Sequence, residues 1–269
     1  MRVAIIGYGK MGREIERLAG TANVSSVEKI EISEIFDVSA PIAKPLTDAD
    51  MSTFDVAIDF SAPAAVVENS RLLARNKKQI VVGTTGWYQH LSDVTKIIAD
   101  AGVGLMYSPN YSVGVYLFTR LVRVAAREFQ LFDEFDVAIR ETHHRHKADA
   151  PSGTALRLGE VVLEQWKGKK SLFTGALQGA IPPDALQIIS ARVGEVAGEH
   201  AVTIDSASDA IEMKHTAKNR SGFALGALRA AQWLQGKKGM FTMDDFMADM
   251  MHDFNDEFSQ LEELSGLSE

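Results

Sequence analysis

The chain reads as an α/β protein: an N-terminal Rossmann-type, doubly wound parallel sheet plus a C-terminal α+β domain with a mixed sheet. Three observations predict this. Short apolar runs alternate with helical stretches from Val3 to Tyr107, the pattern of parallel strands buried on both faces. The first run ends in Gly7-Tyr8-Gly9-Lys10-Met11-Gly12, a glycine-rich strand-to-helix turn of the kind that lets a backbone approach a pyrophosphate. Beyond Tyr111 the strands alternate apolar with polar residues, as a sheet buried on one face does.

Val3 to Ile6 is the first strand, and Arg13 to Leu18 can form the helix whose N-terminus would carry the phosphates. Glu34-Ile35-Phe36 is the next strand, ending at Asp37, where a carboxylate can accept hydrogen bonds from ribose hydroxyls. Asp55 to Phe60 is a strand, Pro63 opens a helix to Arg75, and Gln79 to Gly83 is a strand again. Leu91, Val94, Ile97, Ile98 and Ala101 recur at helical spacing, and Gly104 to Tyr107 is a fifth strand. A long helix over about Val113 to Phe129 then leads into Glu134–Thr142, where Phe135, Val137 and Ile139 face one side. Leu186–Arg192, His200–Asp205 and Ala210–Thr216 are further alternating strands, while Gly168–Asp184, with three glycines and Pro182-Pro183, reads as a loop. Phe223–Leu234 is an Ala- and Leu-rich helix that returns to the first domain. The expected boundaries are 1–112 for the dinucleotide-binding domain, completed by 219–269, and 113–218 for the second, mixed-sheet domain.

Composition excludes several classes. The chain of 269 residues has no cysteine, hence no disulfide, thiolate nucleophile or Cys-ligated metal. No apolar stretch reaches the roughly 20 residues of a membrane span, and the chain opens directly on a strand, so a cytoplasmic protein is expected. The net charge of −8 is local: nine acidic residues and no Lys or Arg lie between Asp244 and Glu269, which leaves +1 for the rest. No basic stripe suggests nucleic acid or an anionic membrane. Within that tail Phe246, Met250, Phe254, Phe258 and Leu261 recur at spacings of three and four, predicting an amphipathic helix over 245–264 that something must cover.

Chemistry concentrates in Glu141-Thr142-His143-His144-Arg145-His146-Lys147-Ala148-Asp149-Ala150-Pro151-Ser152-Gly153-Thr154-Ala155, which holds three of the seven histidines. Pro151-Ser152-Gly153-Thr154 is a helix start, and such an end binds anions through its unpaired N–H groups and the positive pole of the helix. The histidine cluster has three readings: a metal site, a solvated run, or acid–base and anion-binding work. The adjoining Lys147 and helix start favour the third, a carboxylate held beside a proton source, and no metal is expected. Ser152 lies outside any G-x-S-x-G context and is read as a carboxylate donor rather than a nucleophile. Gly83-Thr84-Thr85-Gly86 and Ser108-Pro109-Asn110-Tyr111-Ser112 follow parallel strands on the ligand-facing edge of such a sheet. Arg192-Val193-Gly194 and Gly198-Glu199-His200 read equally well as a charged hairpin or as site residues.

On these residues the chain strongly resembles the dihydrodipicolinate reductase family. The string from Glu141 to Ala155 matches the family's E-x-H-H-x-x-K-x-D-A-P-S-G-T-A pattern. Asp59-Phe60-Ser61, Gly83–Gly86, Pro109–Gly114, Gly198-Glu199-His200 and Phe223–Ala227 fit too, over about residues 1–245. The resemblance implies NAD(P)H-dependent reduction of 4-hydroxy-tetrahydrodipicolinate in lysine and diaminopimelate biosynthesis by a homotetramer, with 113–218 as its substrate-binding and oligomerisation domain. It implies His143 as general acid and Lys147 as the cation beside the ring, with His144, Ser152, Gly153 and Thr154 binding substrate carboxylates and Thr85 at the nicotinamide–substrate junction. Gly7, Gly9, Lys10, Met11, Gly12, Asp37, Phe60, Ser61, Gly83, Thr84, Thr85, Pro109, Asn110 and Tyr111 are the expected cofactor-binding set. NADH is expected to serve at least as well as NADPH, because Asp37 would repel a 2′-phosphate and Val38 supplies no arginine to hold one. The glycine turn is one residue shorter than the common family form, and the acidic tail is longer. The alternatives are a related amino-acid or imine dehydrogenase of the same fold, expected to lack the Lys147–Thr154 constellation, and a non-catalytic nicotinamide-binding regulator, expected to lack an intact acid–base set.

Overall fold

A computed structural model describes residues 1–21, 29–38 and 44–251. In chain order the main elements are β1 (Arg2–Ile6), α1 (Lys10–Ala19), β2 (Glu31–Phe36), β3 (Val56–Asp59), α2 (Val66–Arg75), β4 (Gln79–Val82), α3 (Leu91–Ala101) and β5 (Gly104–Tyr107). There follow α4 (Val113–Phe129), β6 (Asp136–His143), α5 (Gly153–Gln165), β7 (Ser171–Phe173), β8 (Ala185–Arg192), β9 (Glu199–Asp205), β10 (Ala210–Thr216), α6 (Ser221–Trp233) and β11 (Gly239–Phe241). The chain divides into two compact units, Met1–Ser112 with Phe223–Glu269, and Val113–Gly222. Among the described residues, no helix is long and apolar enough to cross a membrane.

The first unit is a six-stranded sheet in the order β11-β5-β4-β3-β1-β2, parallel throughout. Its central strands are apolar on both faces because helices cover both, and Val3, Ala4, Ile5, Val56, Ala57, Ile58, Ile80, Val81 and Val82 are fully buried. The order reverses at β1, from which the chain runs to β2 on one side and to β3 on the other. That places the ends of β1 and β3 at the switch point where open α/β sheets bind ligands. Two glycines make the first turn possible. Gly7 has φ +89°, and a Cβ there would stand 2.5 Å from the Phe60 carbonyl oxygen; a Cβ at Gly12 would stand 2.4 Å from the Gly7 carbonyl oxygen. Neither position admits a side chain.

The second unit is a five-stranded mixed sheet, β10-β9-β6-β8-β7, antiparallel across β10, β9 and β6 and parallel across β6, β8 and β7. One face packs on α4 and α5 through Phe118, Val122, Leu158, Val161, Val137, Ile139, Ile188 and Val202. On β6 the inward alternation continues to its end: Val137, Ile139, Glu141 and His143 are all buried. The buried face of a core strand thus turns ionisable at its last two inward positions.

Three expectations are corrected. The stretch read as a loop over Gly168–Asp184 contains β7, an edge strand of three residues, too short to show periodicity. Lys169 anchors its start, donating to the carbonyls of Pro183 (2.9 Å) and Ala185 (3.0 Å) and pairing with Asp136 (2.6 Å). β11, another three-residue edge strand, also went unread. The last helix begins at 243, and its buried face is Met243, Phe246 and Met247, whereas Met250 is 47% exposed. Phe246 meets Trp233 edge-on at 5.5 Å, and Asp249 accepts from Trp233 Nε1 (3.1 Å) and Lys237 Nζ (2.9 Å). The rest of the expected stripe, Phe254, Phe258 and Leu261, lies outside the described residues.

Candidate active site

In the first unit every expected cofactor-binding residue falls at the carboxyl end of a parallel strand. Gly7, Gly9, Lys10, Met11 and Gly12 follow β1, Asp37 follows β2, Phe60 and Ser61 follow β3, Gly83, Thr84 and Thr85 follow β4, and Pro109, Asn110 and Tyr111 follow β5. Helix α1 begins at a glycine N-cap with no side-chain cap, and a Cβ at Gly9 would stand in open space. A glycine-rich turn that leads into the first N–H groups of a helix suits a pyrophosphate. Asp37 Oδ2 accepts from the Tyr8 N–H, which ties the end of β2 to the glycine turn.

Two of these side chains serve the scaffold. Tyr111 is 1% exposed, and its hydroxyl lies 3.0 Å from the carbonyl oxygens of both Val82 and Met106, so its side chain braces the ends of β4 and β5 rather than facing a ligand. A Cβ on Gly226 would come within 1.8 Å of the Tyr111 carbonyl oxygen, which is how closely α6 seats that loop. Thr84 is buried with its Oγ1 3.2 Å from Asp59 Oδ1. Phe60 packs where a Cβ on Gly83 would be, 2.1 Å from its ring, while Thr85 is exposed.

Asp59, read from sequence only as part of the Asp59-Phe60-Ser61 stretch, had no role assigned to it. Its buried carboxylate accepts from Ser61 N (2.8 Å), Asn69 Nδ2 (2.8 Å) and Thr84 Oγ1 (3.2 Å), joining the β3 loop, α2 and the β4 loop. An isolated carboxylate at the end of an apolar strand carries no sequence signal of this role, because Asn69 and Thr84 reach it only in the fold.

The second unit gathers a denser cluster. His143 ends β6, opposite Arg192 of β8, and Glu141 lies opposite His200 of β9. Glu141 Oε2 is hydrogen-bonded to His143 Nδ1, and Glu141 Oε1 accepts from Arg192 Nη2 (2.8 Å) and the Ser152 N–H (3.3 Å). His200 Nε2 lies 3.0 Å from Ser152 Oγ, and its ring meets that of His143 edge-on at 5.1 Å. Lys147 Nζ pairs with Asp149 at 2.6 Å. His144 keeps a buried Nδ1 with no partner among the described residues, and exposed His146 lies 3.7 Å from Glu195.

The helix start refines one assignment. Ser152 caps α5, its Oγ accepting from Ala155 N (3.2 Å) while it also contacts His200, and its own N–H goes to Glu141. Ser152, expected as a carboxylate donor, is thus also the cap of α5, with its N–H held by Glu141 and its Oγ beside His200. The donors left at the helix start are the N–H groups of Gly153 and Thr154, which have no hydrogen-bond acceptor among the described residues.

Electrostatics separate the ionisable groups. Burial pushes the Glu141 carboxyl up, but hydrogen bonds from Arg192 and Ser190 and the nearby charges of His143 and Arg192 outweigh it and hold the group ionised, below the usual carboxylate range. Burial, reinforced by the positive charges of Lys147 and Arg192, lowers His143, with Glu141 opposing. Burial and the neighbouring His143 bring His200 down to about 4, so it is neutral at neutral pH. Glu141, His143 and His200 can each point a ligand atom within 4.8 Å of the others, but the guanidinium of Arg192 on Glu141 opposes a cation there. Glu141, Arg192 and His200 join the cluster without having been assigned a role from sequence. The signal for Glu141 was present, since extending the β6 alternation two steps past Ile139 puts two ionisable residues on the buried face.

A parallel α/β unit with a glycine-rich phosphate turn, and a second unit with a buried histidine–carboxylate pair beside an anion-binding helix start, define the class of nicotinamide-dependent oxidoreductases. Comparison with known proteins narrows this. Residues 1–111 match the family model for the dihydrodipicolinate reductase N-terminus, and residues 114–247 match that for its C-terminus. The chain belongs to the dihydrodipicolinate reductase family. It is 36% identical over 252 residues to the 4-hydroxy-tetrahydrodipicolinate reductase of Christiangramia forsetii, covering 93% of this chain and 99% of the relative. It is 35% identical over 261 residues to that of Archaeoglobus fulgidus, covering 92% and 100%. Among solved structures, the dipicolinate-bound dihydrodipicolinate reductase from Paenisporosarcina sp. TG-14 superposes with a TM-score of 0.70 at 25% identity, over 90% of this chain and 97% of that one.

Proposed function

We propose that this chain reduces 4-hydroxy-tetrahydrodipicolinate to tetrahydrodipicolinate with NADH or NADPH, in lysine and diaminopimelate biosynthesis. The observation that carries the reading is the second unit's cluster, in which a buried His143 is paired with Glu141, the other oxygen of Glu141 takes the N–H of Ser152 at a helix start, and the charge of Lys147 is felt at the ring. The glycine turn, Asp37 and the loops after β3, β4 and β5 fit a dinucleotide, which when bound supplies the hydride.

Loss of the substrate's hydroxyl as water leaves a C=C conjugated with the ring C=N. Hydride addition to that system leaves an electron-rich enamine carbon that needs a proton, and the His143 imidazolium supplies it. The Gly153 and Thr154 N–H groups, His144 and Lys147 hold the two substrate carboxylates. For Lys147 this means exchanging Asp149, its partner in the free protein, for a substrate oxygen. The two negative charges of the substrate also raise the His143 imidazolium toward full protonation, opposing the effect of burial. The acid is therefore charged most fully when there is something to protonate.

We also read the protein as a cytoplasmic homotetramer. Supporting assembly, the sheet face opposite α4 and α5 carries exposed Ile189 among the polar side chains of β6, β8 and β10. The activity is tested by generating the substrate in situ and following loss of NADH or NADPH absorbance. Cofactor oxidation that depends on the substrate supports the reading, and none with either cofactor refutes it. Light scattering tests the assembly.

A further inference from the structure

One fully buried ionisable side chain has no part in the reaction as described. Glu141 is 0% exposed, on a strand face whose other inward residues are Val137, Ile139 and His143. A carboxylate in that position is costly unless each oxygen is occupied. Here the two oxygens have separate duties. Oε2 meets His143 Nδ1, while Oε1 takes Arg192 Nη2 and the N–H of Ser152, the cap residue of the helix start that is read as the carboxylate site. Arg192 is itself fixed, since Nη2 also reaches the Asp149 carbonyl (2.6 Å) and Nη1 the Ala191 carbonyl (2.7 Å).

We propose that Glu141 is a positioning residue for the proton transfer: it holds the His143 ring by Nδ1–H, so that Nε2 delivers the proton, and it ties that ring to the helix start. The inference deepens the function proposed above and rests on His143 being the acid. Three observations support it. A neutral imidazole carries one N–H, and a carboxylate held ionised by Arg192 can only accept, so Nδ1 must be the donor. The remaining nitrogen faces Gly198, where an added Cβ would stand 3.0 Å from Nε2, and the missing side chain leaves that edge uncrowded. The charged groups around the ring are Lys147 in the following loop and Arg192 on β8, with neutral His200 on β9, so Glu141 is the one negative partner among them.

In the step itself His143 enters as imidazolium with a proton on each nitrogen. The Nε2–H bond breaks, the enamine electron pair forms the new C–H bond, and Nδ1–H remains donated to Glu141, which stays ionised throughout. The ring finishes in the tautomer that the free protein already holds, so no reorientation is needed before the next proton arrives.

The test is Glu141→Gln, with Glu141→Asp beside it. Glu141→Gln should lower kcat by about 10–100-fold, a part of the full effect of a general acid, with substrate KM within about threefold. The pH above which kcat falls should move down, because the imidazolium loses its negative partner, and Glu141→Asp should restore part of that movement. Ring 15N shifts of His143, assigned by loss of its signals in His143→Gln, read the tautomer directly in the wild-type protein. Nδ1–H with bare Nε2 is expected in the neutral ring, and the opposite tautomer overturns the proposal even if neither Glu141 variant folds. A Glu141→Gln enzyme with unchanged kcat and pH profile overturns it as well. The tautomer measurement needs no turnover, so it separates failure of this inference from failure of the assigned reaction.

Discussion

His200 makes the second unit sensitive to acid, by an amount that can be worked out. Its imidazole is buried against His143 and Ser152 Oγ, and burial brings it down to about 4 from 6.5. The unfolded chain binds a proton near pH 6.5 and the folded chain only near 4, so between those values the unfolded state holds more protons and stability falls as pH falls. The contribution is intact above about pH 6.5. By pH 4.5 the loss is about 2–3 kcal/mol, and it approaches about 3 kcal/mol below both values. Other groups titrate over the same range, so the perturbation is His200→Gln, which keeps a polar group near Ser152 without a titrating ring. Hydrogen exchange of the β6 and β9 amides at pH 7.5 and 4.5 gives the opening free energy of that sheet in the intact protein. The variant is expected to be no more stable than wild type at pH 7.5, and to gain on it by about 2–3 kcal/mol between the two pH values. A difference between the proteins that stays the same within about 0.5 kcal/mol would refute the reasoning, because it would mean the buried ring accepts its proton without cost.

Four further outcomes are expected. His143→Gln should lower kcat by about 10²–10⁴ with little change in KM, whereas Lys147→Met should damage both, since Lys147 holds the dianion in the ground and transition states; steady-state kinetics decide. Activity should fall as pH rises through the ionisation of His143, with the midpoint for kcat/KM below 6.5 and the midpoint for kcat higher, because a bound dianion favours the imidazolium; equal midpoints would count against substrate-induced charging. NADH should be used at least as well as NADPH, and Asp37→Ala should narrow the gap, as competitive titration of the two cofactors will show. Ending the chain after Asp244 should lower the melting temperature while leaving the catalytic constants largely intact, since it removes buried Phe246 and Met247, each worth about 1.5–3 kcal/mol, and the Asp249 contacts to Trp233 and Lys237; unchanged melting would show that the face is not used.

Much of this architecture was legible because it is local. The continuous apolar runs at Val3–Ile6 and Gln79–Val82 follow from burial on both faces, the turn from Gly7 to Gly12 from a backbone that admits no Cβ, and the one-sided alternation along β6 from a single helix layer. Each leaves its mark on neighbouring residues in the chain. The 15-residue string from Glu141 to Ala155 is local in the same way, a strand end, a turn and a helix start in succession, and so its histidines, lysine and anion-binding end could be read together.

What only the tertiary structure decided depends on residues far apart in sequence meeting across strands. Glu141 becomes the partner of His143 because Arg192, 51 positions away, neutralises it from β8. Ser152 meets His200, 48 positions away, while its Oγ caps α5 and its N–H goes to Glu141. Tyr111 turns inward because the carbonyls of Val82 and Met106 both face its hydroxyl, and the last helix buries Met247 instead of Met250 because Trp233 sets the face on which it lands. A sequence states which groups are available and how one element's faces are patterned. Which donor meets which acceptor is settled when the sheet is paired, since the cost of desolvation favours a partner for a buried polar group wherever in the chain that partner lies.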